Sequence, residues 1–171
     1  MSVSKEFLKK IGFHLKEGAS GIFEKIYSNH KNYAIEIDLK KEEINYGKSI
    51  KIENKTTSNF SNEENWVVLE CVDRLLVKGY SPKNIILEKT WASGHGTSGR
   101  LDICVTRDDG SEYLLIECKT YGKEFDKAVA KLNKDGGQLF TYFKFSNKAD
   151  VIMLYASELQ SGKIIFKNEI V

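Results

Sequence analysis

One proline, Pro82, stands in 171 residues, and no low-complexity tract interrupts them. That argues against an unfolded linker. Only three cysteines occur, Cys71, Cys104 and Cys118; they form no CxxC pair and are odd in number. A disulfide framework and a structural zinc site are therefore disfavoured, and the thiols read as reduced in a cytoplasmic chain. No run approaches ~18 consecutive apolar residues, so no membrane span is expected. The Lys-rich start has no apolar segment behind it, so no secretory signal is expected. An excess of one charge is also missing: 26 basic against 24 acidic residues leave +2. A nucleic-acid binder working alone by charge is usually more basic than this. What is present, 41% hydrophobic and 29% charged residues, suffices for one soluble domain with a buried core and, at most, a small extension.

The charge is unevenly spread. Residues 1–60 hold 11 lysines against 8 acidic residues, and the rest is slightly acidic. Residues 3–12 read as a short helix stopped by Gly12. Runs 21–27, 33–38 and 49–53 alternate apolar and polar side chains, as hairpin strands do. No chemistry gathers there, and 1–60 reads as a helix plus β-hairpin extension for scaffolding or docking. The polar run Asn54 to Asn62 marks the boundary, so 61–171 is the second unit. Ser61 and Glu64 have capping-box spacing before a helix that runs to about Lys78 and stops at Gly79. At 100° per residue Glu64 falls within the apolar arc of Val67, Val68, Cys71, Val72, Leu75 and Leu76, and Glu70 falls opposite it. Strands follow at 85–90, 100–106 and 113–119, with a loop at 93–99 and a hairpin turn at Asp109-Gly110. Helices at 123–134 and 138–145 and strands at 151–155 and 163–166 complete an α/β layer fold with a mixed sheet.

Chemistry concentrates on the hairpin. Reflection about its turn puts Asp102 opposite residues 116–117, so Asp102 and Glu117 are expected as cross-strand neighbours. Glu117 and Lys119, two apart, project to one face. Two close carboxylates repel, and hold a proton unless a cation lies between them. Oxygen ligands on a rigid strand pair suit Mg²⁺, with Mn²⁺ as a substitute. The Lys119 ammonium would then orient a water or stabilise charge on a phosphate. A surface salt-bridge ladder is the plain alternative. The apolar neighbours Ile103-Cys104-Val105 and Leu114-Leu115-Ile116 favour the first reading, because charges ending buried strands are costly unless paired or metal-bound.

Gly99-Arg-Leu-Asp102 followed by Ile116-Glu-Cys-Lys119 resembles the D…ExK signature of the PD-(D/E)XK nuclease superfamily. Gln138-Leu-Phe-Thr-Tyr142 resembles the QxxxY motif of its RecB-like branch, and Asn62-Glu-Glu-Asn65 resembles that branch's leading helix. From about Asn62 to Ser157 the chain is similar to the N-terminal nuclease domain of type I restriction enzyme R subunits and of related single-chain restriction-modification enzymes. The resemblance implies a restriction-endonuclease-like three-layer α/β/α core with a central mixed sheet. It implies a Mg²⁺-dependent DNA endonuclease acting on double-stranded DNA, alongside motor, specificity or methyltransferase parts. Asp102, Glu117 and the backbone carbonyl of Cys118 would hold the metal, and Lys119 would be the catalytic lysine. Glu64 would be the leading acid, with Glu70 the alternate. Gln138, Tyr142 and Arg100 would organise the site or contact DNA.

The same residues leave other functions open. A silent nuclease-like docking or DNA-binding module is one, and a repair or junction-resolving nuclease is another. Lys123, Lys127 and Lys131 share a helix flank that faces either phosphates or solvent. The Gly-rich loop with His95 lacks the GxxxxGK[ST] pattern, so it is no P-loop. The chain is also too short for a motor or a methyltransferase.

Overall fold

Two β-sheets divide the period-two runs between them. The computed structural model describes residues 5–93, 96–135, 137–146 and 149–171, apart from the side chains at 93, 96–98, 135 and 138. Helix α1 (Lys5–Lys10) precedes β1 (His14–Leu15), β2 (Ile22–Tyr27), β3 (Tyr33–Asp38), β4 (Glu43–Asn45) and β5 (Lys51–Ile52). Helix α2 (Glu64–Val77) leads to β6 (Ile85–Ser93), β7 (Gly96–Thr106) and β8 (Glu112–Cys118). Helices α3 (Lys123–Asp135) and α4 (Gly137–Phe145) then connect to β9 (Val151–Gln160) and β10 (Lys163–Ile170). The first sheet has the order β1-β2-β3-β4 and the second β10-β9-β8-β7-β6-β5. The second is mixed: β8 and β9 are parallel, as are β5 and β6, and its other neighbours are antiparallel.

The inner strands are apolar on both sides because both sides are covered. On β8, Leu114, Ile116 and Cys118 join the cluster that contains α2, and Leu115 joins the one containing α3 and α4. The first sheet packs on the other side of α2. Tyr27 of β2 donates to Asp73 at 2.6 Å, and Lys25 pairs with the same carboxylate at 2.6 Å. Phe7, Leu8, Phe23, Ile35 and Ile37 share one hydrophobic cluster with Trp66, Val68 and Leu76.

Helix α2 is therefore wrapped by two sheets, which overturns one expectation. Every residue from Asn65 to Asp73 is buried, Glu70 among them. A single apolar arc is the wrong template for a helix enclosed this way. The capping box is also absent. The helix begins at Glu64, whose N–H donates to Asn62 Oδ1 at 3.0 Å, and Ser61 bonds Asn59 instead.

Two more differences concern strands. Run 49–53 forms no hairpin in the first sheet; β5 adds to the second sheet, parallel to β6. Most of 93–99, read as a loop, is strand: β6 and β7 extend past the rest of the sheet as a two-stranded arm, pairing Ala92 with Thr97. Gly94 and His95 lie outside the described residues. The Asp109-Gly110 turn forms as read, with Gly110 at φ +84 and Asp109 Oδ1 accepting the Ser111 N–H at 2.8 Å. The positive φ suits glycine, which has no Cβ to clash.

Candidate active site

Strands β7 and β8 pair as far as Ile103 opposite Ile116, the register that puts Asp102 opposite Glu117. There the ladder stops. The Asp102 carboxylate replaces the next backbone acceptor: its Oδ2 takes the Cys118 N–H at 2.7 Å. A side chain in that place lets the strands part, with β7 continuing into the arm and β8 ending at Cys118. The parted strands leave room for the groups that follow.

Lys119 sits just past the end of β8. Its Nζ donates to Glu117 Oε1 at 2.9 Å and to Glu64 Oε1 at 3.3 Å. The first turn of α2 and the end of β8 therefore meet through one ammonium. Glu70, the alternate acid, is elsewhere. Its Oε1 takes Arg74 at 2.5 Å and its Oε2 takes the Tyr155 hydroxyl at 2.6 Å.

The electrostatics follow from burial and closeness. Removal from water, then the Glu117 charge, push the Asp102 carboxyl well above the ordinary aspartate value. Burial likewise raises Glu117, against the pull of Lys119 and with the help of Glu64 and Glu88. Burial works against the charge on Lys119, but Glu117, Glu64 and Asp102 outweigh it and hold the ammonium above the usual lysine value. Lys119 is thus a protonated donor at neutral pH.

Glu117 Oε2 is the unusual atom. It is buried and has no hydrogen-bond partner among the described residues. A buried carboxylate oxygen without a partner is costly, and a cation would remove that cost. Among the described residues no three His, Cys, Asp or Glu side chains stand together as a ready metal cage. The candidate donors are the Asp102–Glu117 pair, all oxygen, with one oxygen unpartnered. That set fits a hard divalent cation that keeps several waters, such as Mg²⁺.

Glu117 and Lys119 open onto a cavity of about 840 Å³ between β8, α3 and α4, with Leu132, Leu139 and Leu154 on its apolar side. Lys127, Lys131 and Lys134 line it as well, so part of the lysine flank faces the site and not only solvent. Lys127 is paired with Glu124 at 2.8 Å.

Tyr142 is fully buried. Its hydroxyl donates to the Arg100 carbonyl at 2.8 Å, and its ring stacks on Trp91 with centroids 5.7 Å apart. It ties α4 to the arm and does not face outward. Gly99, at φ +90, lies where a Cβ would come within 3.2 Å of that hydroxyl, so the approach calls for glycine. The Gln138 side chain lies outside the described residues. Arg100 is half-exposed and pairs through Nε with Glu88 at 3.3 Å. Glu88 was missed in the sequence, although a lone acid in Ile85-Ile-Leu-Glu88 is the same signal that marked Asp102.

No protein-family model matches the chain, and no curated protein matches it either.

Proposed function

We propose that the chain is a Mg²⁺-dependent DNA endonuclease domain of the PD-(D/E)XK type, with a restriction-endonuclease-like core, working in a restriction-modification enzyme. The observation that carries this reading is the buried, unpartnered oxygen of Glu117 beside Asp102 and Lys119. Asp102, Glu117 and the Cys118 carbonyl would hold the ion, with Mn²⁺ able to substitute. When bound, the ion supplies Lewis-acid polarisation of a phosphoryl oxygen.

The rest is work for the chain's own side chains. A water attacks phosphorus, and the bond to the leaving oxygen breaks. Lys119, protonated at neutral pH, donates to the incoming oxygen or to the charge that develops on the phosphate; it is not the base. Glu64, the more exposed of the two carboxylates on that ammonium, accepts the water's proton. Arg100 and the lysines of α3 grip neighbouring phosphates. The nearly balanced net charge suits a domain whose target recognition belongs to specificity and motor partners.

One observation favours a second reading, a phosphate-binding module that does not cleave. Lys119 already neutralises Glu117 and Glu64, and no three-ligand cage is present among the described residues. Nicking of supercoiled plasmid with Mg²⁺ or Mn²⁺ separates the two. The nuclease reading expects nicking by the wild type and ~10²–10³-fold slower nicking by Lys119→Ala. Nicking by Lys119→Ala at the wild-type rate would remove the assigned role of this lysine. A wild type that binds DNA but never nicks it would favour the silent module.

A further inference from the structure

Glu88 is an acid in the middle of β6, directly after the apolar run Ile85-Ile-Leu87. It is 4% exposed. Its φ is +55, a left-handed backbone for a residue with a Cβ. The β6–β7 ladder pairs Leu87 with Ile103 and Lys89 with Leu101, and it skips the step between them, where Glu88 stands opposite Asp102. Such a conformation is strained, and burial of the carboxylate adds to the cost. Strained, buried polar residues persist where the surroundings put them to use.

The use is visible in its partner. Glu88 Oε2 lies 3.3 Å from Arg100 Nε, two residues before Asp102 in the chain. Arg100 is also fixed from behind, its carbonyl held by Tyr142. Nε is the nitrogen of this ion pair, the two terminal nitrogens of the guanidinium have no ion-pair partner among the described residues, and the Arg100 side chain is 47% exposed. A half-exposed guanidinium held beside a buried carboxylate by an ion pair, with its terminal nitrogens without an ion-pair partner among the described residues, matches the two oxygens of a phosphate.

We propose that Glu88 is a positioning residue that presents Arg100 to a backbone phosphate beside the Asp102–Glu117 centre. This rests on the DNA reading above for the identity of the phosphate. Glu88 touches no substrate; it fixes the angle of the fork that does, and so spares Arg100 the ordering cost on binding.

The test is affinity for a short fluorescein-labelled DNA duplex, read by anisotropy in EDTA so that no cleavage intervenes. Full-length wild type, Arg100→Gln, Glu88→Ala, Glu88→Gln and the double variant Glu88→Ala/Arg100→Gln are compared across salt concentrations. Arg100→Gln should weaken binding about tenfold and lower the salt slope by about one. Glu88→Ala should weaken it nearly as much, Glu88→Gln should restore part of the loss, and the double variant should be no worse than Arg100→Gln. Glu88→Ala with wild-type affinity, losses that multiply in the double variant, or a wild type that binds no duplex would overturn the assignment. Should Glu88→Ala fail to fold, Glu88→Gln decides: binding must lie between wild type and Arg100→Gln, and a value equal to wild type with an unaltered salt slope overturns it. Plasmid nicking is measured in parallel. The binding pattern without nicking removes the nuclease reading and leaves Glu88 in place, whereas nicking indifferent to Glu88 removes only the positioning role.

Discussion

Glu70 and Glu117 are almost equally sealed from solvent, at 3% and 4% exposure, yet their surroundings differ. Glu70 has both oxygens occupied, one by Arg74 and one by the Tyr155 hydroxyl, and Arg74 lies over the Phe166 ring with 4.0 Å to its centroid. Glu117 has Lys119 on one oxygen and, among the described residues, no hydrogen-bond partner on the other. The first is a completed network that locks α2 to β9. The second is incomplete and opens onto a basic-rimmed cavity. Burial alone does not distinguish a structural acid from a chemical one; the state of its last lone pairs does.

The largest effect expected from that contrast is on catalysis. Lys119→Ala should lower plasmid nicking by ~10²–10³-fold, the usual loss for one donor aimed at developing charge. Glu70→Ala should leave the rate per folded molecule unchanged. The contrast breaks if the two variants lose activity alike.

Next comes stability. Glu70→Ala strips the acceptor from Arg74 and Tyr155 and should cost about 3 kcal/mol in urea unfolding. Asp102→Asn should go the other way at neutral pH, because it removes one of two repelling carboxylates.

A smaller effect, with a defined sign, is the pH dependence. Asp102 and Glu117 hold protons more tightly folded than unfolded. Their contribution to stability is complete below the ordinary carboxylate range and is lost as pH rises through the raised values. The advantage of Asp102→Asn over wild type in unfolding free energy should therefore grow as pH rises above the ordinary carboxylate range, about pH 4. A difference that shrinks with rising pH would mean that the pair is already neutralised in the resting fold.

The smallest effect is on the arm. Tyr142→Phe leaves the Arg100 carbonyl without its donor and should cost about 1 kcal/mol. Hydrogen exchange should show it as faster exchange at 96–101, with little change in β8.

Much of this was legible from the residues. The Asp109-Gly110 turn fixed the hairpin register, and with it the opposition of Asp102 and Glu117, because loop chemistry and period two are local properties. Glu64 was placed on the inward side of α2, where it meets Lys119. Glu70 was misplaced because a helical wheel assumes one buried side, and the second sheet that covers the other is a long-range fact. Ser93-Gly-His-Gly-Thr-Ser-Gly99 is turn-rich and reads as a loop, yet strand pairing prevails over composition at Ser93 and from Gly96 on. Glu88 escaped because its left-handed backbone has no signature in sequence, and its importance appears only once Arg100 is beside it.

Calorimetric titration with Mn²⁺ tests the central contrast most directly. Wild type and Glu70→Gln should each show saturable binding, and Glu117→Gln should abolish it. Saturable binding that persists in Glu117→Gln, or none in the wild type, would contradict the assignment of the unpartnered Glu117 oxygen to a cation.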